Sequence, residues 1–310
     1  MTVPLHVAIC IVGFRNPDDV ADCLDALSRM RHLDFQVVVV ENGGAAAFEA
    51  LRARAPAALP GGQAVRLVCA PSNLGYAGGV NLGMRTAPDA GAWWVLNPDT
   101  CPDPVALSAL VERLERGDCD AVGGTIQLAS GEVQAYGGHW QRLLARAVSI
   151  GHGGDIAAPV DPRRIESLQN FLSGASMLIG RRFLETTGPM REDYFLYCEE
   201  VEWCLRGLSL GMRLGFAPKG VVLHKQGTST GAAVDLRGRS KLSVYLNERN
   251  RVLLSRDRFP ALLPLTMFTT LATLTLRFGK RRAWRQLGYA LQGWAAGLAN
   301  RRGIPSWGAR

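Results

Sequence analysis

Neither a Walker loop nor a GxGxxG turn follows the first apolar stretch of this 310-residue chain, which removes the usual marks of a P-loop enzyme and of a dinucleotide-binding half. None of the seven cysteines (Cys10, Cys23, Cys69, Cys101, Cys119, Cys198, Cys204) falls in a CxxC pair. An odd number of scattered thiols, most of them in apolar runs, points to a reducing compartment and away from a zinc knuckle or a disulfide framework. No repeat of solenoid period occurs. Ala261–Leu276 runs 16 residues without a charge, short of the ~20 a spanning helix needs. The N-terminus lacks a basic stretch and a small-residue cleavage site, so export is not expected.

What is present is a globular composition, 47% hydrophobic and 20% charged. The net charge of +8 is unevenly placed: Arg249–Arg310 holds 12 Lys and Arg against Asp257, while the first 248 residues hold 23 bases and 26 acids. A slightly acidic body with a basic tail argues against a nucleic-acid groove across the body and for a tail that meets an anionic surface such as phospholipid.

The first half alternates strand and helix. Val7–Val12, Phe35–Val40, Val65–Cys69 and Trp93–Leu96 are buried-strand runs. Between them lie a helix opened by Asn16-Pro17-Asp18-Asp19, with Val20, Cys23, Leu24, Leu27 and Met30 as its stripe, and helices at Ala45–Ala55 and Tyr76–Thr86; Pro104–Leu114 follows. This predicts an α/β fold with a mostly parallel sheet, whose ligands bind beyond the strands' carboxyl ends. The loops Gly13–Asn16, Glu41–Gly44, Asn73–Tyr76 and Asn97–Thr100 are therefore site candidates. The second half predicts shorter strands at Ala121–Leu128, Val133–Gly138 and Leu143–Ile150 and a loop at Ile156–Glu166. Strands at Ala175–Ile179, Met212–Phe216 and Val221–Leu223, and a helix at Glu199–Leu208, follow. Lys225–Ser240 reads as a lid-length loop, and the chain is helical beyond it.

Three clusters carry chemistry. Asp99 in Asn97-Pro98-Asp99-Thr100 is suited to a hard cation shared with a diphosphate, or to capping the next turn. Glu199, Glu200 and Glu202 crowd carboxylates so that at least one holds its proton to higher pH, as a general base requires, or simply favour a helix N-terminus. His224 ends a strand before the long loop, where a metal or phosphate role competes with a plain surface role.

Seven ordered stretches turn these fragments into one pattern: IVGFRN (Ile11–Asn16), VVVVENGG (Val37–Gly44), NLGYAGGVNLG (Asn73–Gly83), WVLNPDT (Trp94–Thr100), FLSGASMLI (Phe171–Ile179), GPMREDYFLYCEEVEWCLR (Gly188–Arg206) and VVLHKQGTST (Val221–Thr230). The sequence resembles the family 2 glycosyltransferases of GT-A fold, particularly their rhamnosyltransferase-like branch, from about Val7 to Ser229. The resemblance implies a Rossmann-like sheet with flanking helices and Mg²⁺ or Mn²⁺ as cofactor. It implies transfer, with inversion, from a nucleoside-diphosphate sugar, rhamnose by leaning, to a glycan or lipid-diphosphate-linked acceptor in cell-surface polysaccharide synthesis. It places Gly13, Phe14 and Asn16 at the nucleotide base, Glu41 and Asn42 at base and ribose, and Asn73, Gly75 and Asn81 beside the nucleotide. Asn97 and Asp99 stand at the metal motif, His224 at the metal or diphosphate, and Glu200 or its neighbour Glu199 is the base. The chain departs from the family pattern in Glu41, Glu200 and Glu202 for Asp, in Asn97 for the first metal-motif Asp, and in Met190.

The expected organisation is a catalytic domain over residues 1–240, with a nucleotide-binding half (1–118) and an acceptor-binding half (119–240), then a helical region (241–310). There the basic cluster Arg277, Lys280, Arg281, Arg282, Arg285 and the stripe Trp284, Leu287, Leu291, Trp294, Leu298 suggest a cytoplasmic protein held on the inner face of the membrane. A hairpin packed on the body and a homodimer contact are the alternatives. A nucleotidyltransferase-like enzyme and a catalytically silent membrane scaffold of the same fold are the rival readings.

Overall fold

The computed structural model describes residues 5–225 and 236–308; most of the lid-length loop lies outside them. Strand β1 (Val7–Gly13) is followed by α1 (Pro17–Leu27), β2 (Phe35–Glu41), α2 (Ala45–Arg52), β3 (Val65–Cys69), α3 (Gly75–Thr86) and β4 (Ala92–Leu96). The order β3–β2–β1–β4 is parallel throughout. These strands read as unbroken apolar runs because helices cover both faces. Ile9, Val37 and Trp94 fill one side, Cys10, Val38 and Val95 the other.

Next come β5 (Thr100–Pro102), α4 (Ala106–Glu115), β6 (Ala121–Leu128), β7 (Val133–Ala135), the hairpin β8 (Gly138–Gln141)–β9 (Arg146–Ser149), α5 (Pro162–Leu168), β10 (Ser176–Gly180), α6 (Arg181–Thr187), α7 (Glu199–Ser209) and β11 (Leu214–His224). The sheet continues from β4 through β10, β6 and β11 to β5. β10 is antiparallel to both β4 and β6, and β11 is parallel to β6. Two reversals restore the direction, so β1, β2, β3, β4, β6 and β11 all end at one edge. That edge carries Gly13, Glu41, Asn97 and His224.

Two expectations need correction. The stretch read as a loop over Ile156–Glu166 contains α5, where Pro162 takes the first position and Asp161 caps the Arg163 N–H at 3.0 Å. Seven residues are too few to show helical periodicity. The two strands read at Met212–Phe216 and Val221–Leu223 are one, β11, with a register break between Ala217 and Val221; Pro218 sits in that break, where a ladder tolerates a missing donor.

The chain ends in α8 (Lys241–Arg258), α9 (Leu263–Lys280) and α10 (Trp284–Leu298). Leu253 and Leu254 of α8 lie in the same buried cluster as Tyr194, Trp203 and Leu205, so the packing of the body runs on past residue 240. α10 buries Gln286, Ala290, Gly293, Ala296 and Gly297. Leu287 and Trp294, two residues of the apolar stripe read as membrane-facing or packed on the body, pack against the cluster that contains Leu274 and Phe278 of α9. Trp294 also donates its indole N–H to Thr270 at 3.1 Å.

Candidate active site

The first three loops at the edge form one hydrogen-bonded unit. After β1 the chain turns through Arg15 at positive φ. Asn16 accepts the Phe14 N–H at 2.9 Å and reaches Asp19 at 3.1 Å, so it shapes the turn and does not cap α1. Glu41 is fully buried; its Oε1 accepts the N–H of Gly43 at 2.6 Å and of Arg15 at 3.1 Å. Its Oε2 is buried with no partner among the described residues. A Cβ on Gly13 would stand 2.8 Å from that oxygen, so glycine keeps the space open. Asn42 donates to the Gly75 carbonyl at 2.8 Å, and Asn73, which is exposed, accepts the Gly75 N–H at 3.1 Å. Asn81 stands apart: buried inside α3, it donates to the Met190 carbonyl and Glu192 and accepts the Met190 N–H. Its side chain ties α3 to the segment before α7.

Gly75 is the pivot between this unit and the segment that leads into Glu199 and Glu200. It has φ of 70°, and a Cβ there would overlap the Phe195 carbonyl oxygen, which accepts the Tyr76 N–H at 2.8 Å. Gly75→Ala should therefore cost about 3 kcal/mol, from left-handed strain plus overpacking. Denaturant unfolding checks this; a cost below ~1 kcal/mol would show that the Phe195 segment yields.

The fourth loop carries Asp99, buried after β4 and facing the end of β11. His224 Nε2 lies 3.3 Å from Asp99 Oδ2. The other ring nitrogen, Nδ1, meets Gln134 Oε1 at 2.9 Å. An amide oxygen is an acceptor, so it assigns the ring proton to Nδ1 and turns the Nε2 lone pair toward the carboxylate. Two acceptors facing each other call for a proton or a cation between them. Nitrogen and carboxylate oxygen suit Mn²⁺, and also Mg²⁺ when most other ligands are oxygens. Among the described residues no cluster of three or more His, Cys, Asp and Glu side chains is placed to hold a metal, so these residues offer two ligands at most from those types. Asn97, half-buried, is fixed through its backbone: its N–H donates to Ala175 at 3.0 Å and its carbonyl accepts Thr100 Oγ1 at 2.6 Å.

Glu199 and Glu200 open α7 after three residues at positive φ, Phe195, Tyr197 and Cys198. Each glutamate has a buried Oε2 with no partner among the described residues. Burial pushes the Glu199 carboxyl well above the usual carboxylate range, and the Glu200 charge adds to it; burial raises Glu200 also. Glu199 is closed off, whereas Glu200 is half-buried and lies against Gly174, where a Cβ would stand 3.5 Å from Glu200 Cγ.

The segment Ser173–Ala175 joins the two carboxylate sites. Gly174 accepts the Tyr76 hydroxyl at 2.6 Å, and Ala175 accepts the Asn97 N–H. The Tyr76 phenol is raised by burial first, then by the charges of Glu199, Glu200 and Asp99. One hydroxyl thus feels all three carboxylates, which gathers Glu199, Glu200 and Asp99 around Tyr76 and the Ser173–Ala175 segment.

The sequence profile described as glycosyl transferase family 2 matches residues 8–186. The chain belongs to this family. A low-salt glycan biosynthesis hexosyltransferase, Agl10, from Haloferax volcanii is 23% identical over 96% of this glycosyltransferase and 93% of its own length. An N-acetylglucosaminyl-diphospho-decaprenol L-rhamnosyltransferase from Mycobacterium tuberculosis is 30% identical over 54% of this chain and 61% of its own. Among solved structures, the mannosyltransferase PcManGT from Pyrobaculum calidifontis, in complex with GDP-Man and Mn²⁺, superposes with a TM-score of 0.55 at 14% identity, covering 97% of this chain and 89% of that one. The fold is GT-A, and the protein is a glycosyltransferase.

Sequence reasoning missed the supports of this glycosyltransferase's cleft. Asn250 of α8, fully buried, donates from one amide nitrogen to the carbonyls of Tyr194 (2.9 Å), Leu196 (2.8 Å) and Tyr197 (2.8 Å). Arg249 donates to Tyr194 at 2.9 Å and to Gly303. These bonds hold the strained turn that presents the glutamates. The signal available was the polar run Asn247–Arg251 set between the apolar stretches Val244–Leu246 and Val252–Leu254 of one helix. Gln134, Tyr76 and Gly174 left no signal of their own.

Proposed function

We propose that this glycosyltransferase moves a sugar, with rhamnose favoured by the resemblance, from a nucleoside diphosphate to a hydroxyl of a glycan or lipid-diphosphate-linked acceptor, in one inverting, metal-dependent displacement. The supporting observation is that Asp99–His224 and Glu200 meet on one short segment, Ser173–Ala175, and on Tyr76. Glu41 Oε2, a buried acceptor with no partner among the described residues and with only the Gly13 backbone beside it, receives an N–H of the nucleobase, with Phe14 and Asn16 alongside. Asn42, Asn73 and Gly75 shape the wall next to the ribose, and Asn97 positions the Asp99 loop.

Asp99 and His224 hold the cation, and Gln134 fixes the ring. A bound Mg²⁺ or Mn²⁺ supplies positive charge for the departing diphosphate. Glu200 takes the acceptor hydroxyl's proton as the new C–O bond forms; burial raises its proton affinity, and its charge helps to keep the closed-off Glu199 protonated. With the base on the acceptor side and no protein nucleophile required, the anomeric centre inverts. Region 241–310 places the enzyme on an anionic membrane surface, facing the cytoplasm, where a lipid-linked acceptor is presented.

A panel of sugar nucleotides, assayed for protection against thermal unfolding with and without Mn²⁺ and then for transfer, tests the reading. One donor should protect only with Mn²⁺, and EDTA should abolish transfer. Protection by nucleoside triphosphates alone would favour a nucleotidyltransferase. Failure of every donor to protect or be consumed would leave a silent scaffold.

A further inference from the structure

Helix α9 is built inside out for a helix in water. Its protein-facing side buries Thr266 and Thr270, each 1% exposed, along with Leu274 and Phe278. Its outer side shows Phe268 at 72% exposure, Leu276 at 60% and Leu265 at 48%. A surface helix in water puts its hydroxyls outward and its large apolar groups inward. The threonines are satisfied locally: Thr270 donates to the Thr266 carbonyl at 2.7 Å, and Thr266 to the Arg142 carbonyl at 3.3 Å. Thr269 donates to the Leu143 carbonyl at 2.5 Å. These bonds seat the β8–β9 hairpin tip on α9, with Leu143 and Leu144 exposed beside it.

The apolar side ends in a cationic one. Arg237, Lys280, Arg281 and Arg282 line an open cavity of about 490 Å³ at the α9–α10 turn, with no acidic residue among its described lining. Among the described residues Lys280, Arg281 and Arg282 form no ion pair. Leu276 lies one turn before this group, and Trp284, 65% exposed, directly after it. Large apolar groups beside clustered cations match the acyl boundary and phosphate layer of a bilayer.

Pro260–Lys280, which includes α9, has the length and hydropathy of a spanning segment, longer than the 16-residue charge-free run read from the sequence, but the attachments of α9 oppose spanning. Its whole inner side, from Thr266 to Phe278, is held by the protein, and Arg277 pairs with the buried Glu248 of α8. Crossing would carry α8 and the hairpin tip into hydrocarbon.

We infer that α9 lies in the plane of the bilayer surface, with Leu265, Phe268, Leu276 and Trp284 at the acyl boundary, and that the cationic cavity binds the phosphate of an anionic phospholipid. This deepens the reading of region 241–310 as the membrane-attaching part and rests on it. The face is distinct from the cleft of Asp99 and Glu200.

Co-sedimentation of the full chain uses phosphatidylcholine vesicles with and without about 30% phosphatidylglycerol. Wild type should bind the anionic vesicles and be released by salt. Phe268→Asp with Leu276→Asp should lose binding, with transfer to a water-soluble acceptor unchanged. Lys280→Gln with Arg282→Gln should lower affinity for anionic vesicles by about 30-fold and leave neutral-vesicle binding alone. Wild type bound to neither vesicle overturns the membrane reading itself. Wild type bound, with both double variants bound equally well, overturns only the assignment to α9 and the cavity. Inorganic phosphate or pyrophosphate separates the ligand sources. Saturable Lys280- and Arg282-dependent thermal protection by the free anion, at concentrations that leave vesicle binding intact, reassigns the cavity to a soluble ligand. A dimer abolished by Phe268→Asp, with no vesicle binding, gives the face to a second copy and overturns the proposal.

Discussion

Glu200→Gln should lower transfer by about 10²–10⁴-fold, the usual worth of a general base, while raising the melting temperature at neutral to alkaline pH. The two effects have one source. Glu199 and Glu200 are adjacent at the start of α7, each with a buried oxygen lacking a partner, and both are shifted toward the protonated form by burial, Glu199 further by its neighbour's charge. In the unfolded chain both titrate near the ordinary glutamate value. Between that value and the raised folded ones, the native state binds more protons than the unfolded state, so stability falls as pH rises through this window. The amide has no charge to bury, so the stability gap between Glu200→Gln and wild type should widen with pH and close at acid pH. Activity runs the other way. The base works only when ionised, so the acid limb of the rate profile should lie above the ordinary carboxylate range and vanish in the variant. Thermal melts and initial rates across pH check both. Near-wild-type turnover would move the role to Glu199, the residue the sequence leaves as the alternative. A uniformly lower melting temperature would mean that the pair is held by bonds the amide cannot make.

The cleft was legible in the sequence where local pattern and chemistry coincide. Unbroken apolar strands alternating with capped helices announce a parallel sheet, and the rule for such sheets selects the loops at Gly13, Glu41, Asn73 and Asn97 before any contact is known. The reversal by β10 was not legible, because Ser176–Gly180 is as apolar as a parallel strand and direction leaves no trace in a five-residue run. Gln134 meets His224 across 90 positions of sequence, and Asn250 reaches the turn before the base across more than 50. Neither has a spacing rule. Asn81 looked like a nucleotide residue for its motif, yet its bonds run to Met190 and Glu192. The tail shows the limit most clearly. The Trp284–Leu298 stripe has helical period, but periodicity says only that one side is apolar, not what covers it. Leu287 and Trp294 of that side pack on the cluster that α9 shares, while Trp284 and Leu291 stay exposed, as does α9's own outer face.

Asp99→Ala should abolish Mn²⁺ binding in the presence of nucleoside diphosphate and take transfer to background, and Gln134→Leu should sit between it and wild type. The described residues supply few metal ligands. Asn97 replaces a carboxylate in the metal motif, and no cluster of three or more His, Cys, Asp and Glu side chains able to hold a metal occurs among the described residues, so loss of Asp99 removes the anionic ligand of the pair. His224 alone is a weak site for a hard cation. Gln134 touches no ligand of the metal other than the ring, and its carbonyl keeps the proton on Nδ1. Leucine frees the tautomer and the ring orientation, which should weaken Mn²⁺ by about 10–100-fold. Gln134→Glu keeps an acceptor at the same place and should retain binding. Electron paramagnetic resonance titration of free Mn²⁺ reads affinity without turnover, and imidazole ¹⁵N shifts read the tautomer. Wild-type Mn²⁺ affinity in Asp99→Ala would reduce the Asp99–His224 contact to a clasp between the β4 loop and the end of β11, and the charge on the leaving diphosphate would then have to be met by the chain's own cations.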